Sequence, residues 1–164
     1  MNEKLLELES SCEYLFHGSA NPDIEILEPR QSTHIPDLTK PKDFILDGDP
    51  AVSATPNLEM AIFRSIINGR NIDIPHTSGF GYKNEEIYFR VSHEEVLKKA
   101  EGKEGYIYVF NKNDFTPYTR MGEEDGKGKG IDFEWRAYKP VKPVQVIPVG
   151  YEDLPKNIKI LNKE

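Results

Sequence analysis

Strand-like runs crowd the second half of this chain, and that crowding limits its fold more than any other feature. Glu86–Val91, Tyr106–Phe110, Asp132–Tyr138 and Val144–Val149 are rich in aromatic and β-branched residues, which suit a pleated, half-buried surface. Earlier come Tyr14–Ser19, stopped by the turn cluster Asn21-Pro22-Asp23, then a short extended piece from Ile24 to Pro29, then Ala51–Thr55. About seven short strands thus stand against two or three helices. Strands gathered together, rather than alternating with helices, predict an α+β fold with mostly antiparallel pairing.

The helices have their own signals. Glu3–Glu9 carries leucines at 5, 6 and 8. Leu58, Ala61, Ile62, Ser65 and Ile66 fall at helical spacing, with Thr55 as the expected cap, Pro56 as the first helical residue and Asn68-Gly69 as the stop. Ser92 and Glu95 form a capping-box pattern that opens a helix running to Lys99. Between these elements, Arg30–Pro50 and Arg70–Asn84 are expected to be polar surface loops. Met121–Gly130, with four glycines, is expected to be flexible.

A length of 164 residues fits a single domain, 1–164. No apolar run approaches the roughly 20 residues of a membrane span, and Met1–Ser11 lacks the apolar stretch of a signal peptide. The expectation is a cytoplasmic protein without membrane contacts. The net charge of −7 argues against general nucleic-acid binding, which depends on clustered cations that displace counterions. Cys12 is the single cysteine, so no internal disulfide forms; it is expected to be half-buried and structural. The sequence holds no phosphate loop, dinucleotide fingerprint, serine-hydrolase elbow or paired metal-ligating histidines, and no metal is expected.

Three short blocks carry the chemistry. Phe16-His17-Gly18-Ser19 ends a strand on an imidazole beside a glycine, whose backbone a planar ligand can approach closely. Val52-Ser53-Ala54-Thr55 runs into the helix that carries Ala61 and Phe63. Asp132-Phe133-Glu134-Trp135-Arg136-Ala137-Tyr138 sets a glutamate inside an aromatic strand, with Asp132, Glu134 and Arg136 sharing one side. Each block also has a plainer reading. His17 can be a strand-end histidine bonded to a loop carbonyl, Phe63 a core residue, and Glu134–Arg136 the polar face of an edge strand.

In this order the blocks resemble the ADP-ribosyltransferase superfamily. The nearer branch is the His-Tyr-Glu type of poly(ADP-ribose) polymerases and diphtheria-like toxins, matched again by Glu134–Val141. The resemblance implies a two-layer, mostly antiparallel fold that holds NAD, the substrate, in a cleft. It assigns His17 to the adenosine-side ribose and Gly18, with Ser19 beside it, to the nicotinamide carboxamide. Glu134 takes the nicotinamide-side ribose, where it stabilises the oxocarbenium-like centre that develops as nicotinamide leaves. Phe63 stands where the family stacks a tyrosine on nicotinamide, while Val52 and Met60 replace its tyrosine and serine. Ser53 parallels the serine-rich strand of arginine-directed toxins, which carry arginine in place of His17. Arg30 and Arg64 are candidate pyrophosphate contacts, and Asp132 a candidate acceptor selector.

The implied activity is NAD-dependent mono-ADP-ribosyl transfer to a protein or small-molecule acceptor, or NAD hydrolysis. A non-catalytic module binding NAD or ADP-ribose is the alternative. The related RNA 2′-phosphotransferases need clustered arginines and a basic surface, which this chain lacks.

Overall fold

The computed structural model describes residues 2–34, 39–40, 42–84, 86–118 and 133–162. Among them are three helices, α1 (Glu3–Ser11), α2 (Leu58–Ile66) and α3 (Glu94–Ala100). The eleven strands are β1 (Tyr14–Ser19), β2 (Thr33–His34), β3 (Ile45–Leu46), β4 (Val52–Ala54), β5 (Ser78–Lys83), β6 (Glu86–His93), β7 (Glu104–Asn111), β8 (Thr116–Tyr118), β9 (Glu134–Ala137), β10 (Gln145–Gly150) and β11 (Ile158–Asn162). The chain is α+β. Three three-stranded sheets, β1-β7-β10, β4-β9-β8 and β11-β6-β5, accompany the β2-β3 ribbon. Every pairing is antiparallel except β11 with β6.

The β1-β7-β10 sheet is apolar on both faces because β1 and β7 alternate between two cores. Phe16, Ile107 and Val109 point into one cluster with Ile147, Val149 and the buried side of α2. Leu15, Tyr108 and Phe110 point into the other, with Val52, Ala54, Ala137 and Val141. The residue after β4 bridges β1 side by side in antiparallel fashion, for Phe16 N donates to Thr55 O at 2.8 Å and Thr55 N to Phe16 O at 2.9 Å. The β11-β6-β5 sheet closes the first core through Phe89 and Val91, with Ile158, Ile160 and Phe80 packed on it.

α2 lies on β1 at very short range. A Cβ at Gly18 would sit 2.0 Å from the carbonyl oxygen of Ala61 and 2.9 Å from the amide nitrogen of Ser65. Gly105 on β7 likewise makes way for the Ser65 side chain. Glycine is therefore required at position 18 by the helix behind it.

Several sequence expectations are corrected. Arg70–Asn84 is not a loop throughout, since Ser78–Lys83 pairs along its whole length with β6. Arg30–Pro50 carries the β2-β3 ribbon and sends the Asp47 side chain inward. The piece from Ile24 to Pro29 forms no strand, only a bridge from Leu27 to Val141. The cap of α2 is Asn57, which accepts from Met60 N at 2.9 Å. Thr55 Oγ1 instead accepts from Asn57 N, one turn earlier. Ser92 does not cap α3; its hydroxyl accepts from Thr77 N at 3.0 Å and ties β6 to the segment before β5. Cys12, which ends α1 in a left-handed conformation with φ 60°, is exposed, not half-buried. No helix among the described residues is long and apolar enough to cross a membrane.

Candidate functional site

The site is built where β1, β4 and β9 meet. β4 and β9 pair so that Ser53 stands opposite Arg136 and Ala54 opposite Trp135. β8 pairs on the other side of β9, with Tyr118 opposite Glu134. β9 is therefore the central strand of its sheet and not an edge strand.

Ser53 connects the two residues that the resemblance singles out. His17 Nδ1 donates to the Ser53 carbonyl oxygen at 2.8 Å, while Ser53 Oγ donates to Glu134 Oε2 at 3.2 Å. A carbonyl only accepts, so Nδ1 carries the proton and Nε2 of the neutral ring is an acceptor. Burial, opposed by the bond to Ser53 and aided by repulsion from Arg30, holds the His17 pKa below its ordinary value.

That shift sets a pH dependence. The folded state takes up its proton at lower pH than the unfolded chain, which binds one near pH 6.5. Above that value both forms are neutral and His17 is indifferent; just below it the unfolded state gains the proton first and stability falls. Urea unfolding at pH 7 and pH 6 should show this loss, at most about 1.4 kcal/mol per pH unit for one proton. His17→Asn should remove that part of the slope. An unchanged slope in the variant would contradict the depressed His17.

Glu134 is held from a second direction. Arg136, two residues along β9, is 1% exposed and donates through Nε to Glu134 Oε2. Its Nη1 donates to the Asp47 carbonyl, and Nη2 forms an ion pair with Asp47 Oδ2 at 3.2 Å. Tyr118 donates its hydroxyl to Asp47 Oδ1 at 2.9 Å. Its ring lies under the guanidinium, 3.6 Å from centroid to carbon. Burial and the bond to Asp47 raise the Tyr118 pKa, which keeps it a donor. Among these, only Arg136 had a sequence signal, the two-residue strand spacing that sets it beside Glu134. Asp47 and Tyr118 had none.

The other expected site residues fall as follows. Arg30 is exposed, pairs its backbone with Ala51 and lies close enough to His17 to depress its pKa. Ser19 Oγ accepts from Asn21 N at 3.1 Å, holding the turn after β1. Tyr108 holds the same turn by donating to Asn21 O and accepting from Ile24 N. Gly18 faces α2. Phe63, expected to offer one ring face to a cleft, is fully buried against Phe89 at 5.1 Å and Phe80 at 6.3 Å. Arg64 lies over the Phe80 ring and donates to Ser78 Oγ. Asp132 and the segment Met121–Gly130 lie outside the described residues.

Among the described residues, no three His, Cys, Asp or Glu side chains group as metal ligands would. No family model, no curated protein and no solved structure matches this chain.

Proposed function

We propose that this protein takes NAD as its substrate, cleaves the nicotinamide–ribose bond and passes ADP-ribose to an acceptor or to water. The fold would be that of the ADP-ribosyltransferases. One observation carries the reading: a single residue, Ser53, bonds His17 through its carbonyl and Glu134 through its hydroxyl. The two distant residues that the resemblance pairs are thereby linked through β4, which lies between their strands. A neutral His17 with Nε2 as acceptor suits a ribose hydroxyl. A carboxylate held by Arg136 and Ser53 is fixed before reaction, which favours a cation that develops only in the transition state. On this reading Arg30 serves the pyrophosphate and Asp132 the choice of acceptor.

A second reading, a non-catalytic module that binds NAD or ADP-ribose, draws on one observation. The buried Phe63 presents no ring for nicotinamide to stack on. Incubating the protein with NAD and following nicotinamide release by chromatography, beside a calorimetric titration, separates the two. Release supports the transferase. Binding without release, weakened in His17→Ala, supports the module. Neither release nor binding rejects both.

A further inference from the structure

The polar cluster behind Glu134 is larger than the proposed chemistry needs. A buried guanidinium is costly unless its partners satisfy it, and a single carboxylate would neutralise it. Here Arg136 meets two carboxylates, a main-chain carbonyl and an aromatic face. Three parts of the chain contribute: β9 itself, β8 through Tyr118, and the segment that follows β3 through Asp47. Gly48 fits the same purpose. Its φ is +73°, and a Cβ there would lie 2.7 Å from Arg136 Nη1 and 2.8 Å from the Tyr118 hydroxyl. The backbone after β3 is thus drawn tightly over the guanidinium.

An arginine so held has little rotamer freedom, and its Nε is delivered to one oxygen, Glu134 Oε2. Ser53 Oγ bonds that same oxygen from the opposite strand. Glu134 alone is a flexible, partly exposed side chain at 23%. With both donors in place, one carboxylate oxygen is fixed between β4 and β9. A support of this kind keeps a functional side chain within the small tolerance its chemistry demands.

We infer that Arg136 is a positioning residue for Glu134, with Asp47 and Tyr118 acting through it. The kinetic half of this inference rests on the transferase reading; the structural half does not.

Crystal structures and NAD kinetics of Arg136→Met, Arg136→Lys and Tyr118→Phe test it. In Arg136→Met the Ser53 Oγ–Glu134 Oε2 contact should be lost. Nicotinamide release should fall about 100-fold in kcat, the scale of a reacting group misplaced by about 1 Å, with KM for NAD changed less than about 3-fold. Arg136→Lys, which keeps a cation, should recover the contact and much of kcat. Tyr118→Phe removes only the hydroxyl that holds Asp47 and should lower kcat by about 3- to 10-fold; it decides the matter if Arg136→Met does not fold. Glu134 unmoved in Arg136→Met, or kcat and contact both unchanged in Tyr118→Phe, would overturn the inference. If the wild type releases no nicotinamide, the transferase reading fails, and the crystallographic contact alone decides the role of Arg136.

Discussion

Glu134→Gln should release nicotinamide from NAD about 10²- to 10³-fold more slowly than the wild type, while keeping its fold. The substitution preserves shape and an accepting oxygen, so Ser53 and Arg136 retain a partner. What it removes is the negative charge. In the ground state the glycosidic bond already joins ribose to a cationic pyridinium; in the transition state positive charge moves onto the ribose ring. A fixed carboxylate stabilises that shift more than it stabilises bound NAD, so the loss should fall on kcat rather than on affinity. Chromatographic rates with calorimetric NAD titration of both proteins would show this, and circular dichroism would confirm the fold. Equal release by the variant would remove Glu134 from the chemistry and the transferase reading with it.

A comparably large effect, on stability, is expected for Gly18→Ala. The added Cβ would meet backbone on α2, at 2.0 Å from Ala61 O, and backbone cannot rotate away as a side chain can. α2 would have to shift, yet Leu58, Met60, Ala61, Ile62, Phe63, Ser65 and Ile66 bury it on several sides. Overpacking a tight core costs about 1–3 kcal/mol and more where the backbone must move, so a loss of about 3 kcal/mol or more is expected in urea unfolding. Against a typical total of about 5–15 kcal/mol, that threatens the folded state. Gly69→Ala is the companion measurement. Beyond its own residue and its two chain neighbours, no heavy atom lies within 4 Å of its Cβ position, and a change within about 0.5 kcal/mol is expected. A loss under about 1 kcal/mol in Gly18→Ala would mean that β1 and α2 are not so closely packed.

These two residues also show how far local pattern reaches. Glycine after His17 reads in the sequence as an invitation to a ligand. In the fold, the backbone that approaches it belongs to α2, and only the packing of helix on sheet reveals that. Glu134 reads as a charge on an amphipathic edge strand or as a catalytic carboxylate. The pairing of β9 with both β4 and β8 makes it an interior-strand residue, with a buried arginine beside it.

By itself the sequence determined the elements whose signal lies within a few residues. The aromatic and β-branched runs of β1, β6, β7 and β10, and the apolar stripe of α2, emerge close to where their spacing puts them. They do so because period-2 and period-3.6 patterns decide locally which face can be buried. The tertiary structure alone decided what depends on a distant partner. Ser78–Lys83, interrupted by two glycines, is a strand because β6 supplies its hydrogen bonds. Asn57 rather than Thr55 caps α2, whose first amide, Leu58 N, is taken at 2.7 Å by Glu9 from α1. Asp47, in a segment that reads as solvated loop, is buried because Arg136 and Tyr118 await it on β9 and β8. A buried charge is tolerated only where a counter-charge meets it, and no local spacing in a sequence records which residues, far apart along the chain, will meet.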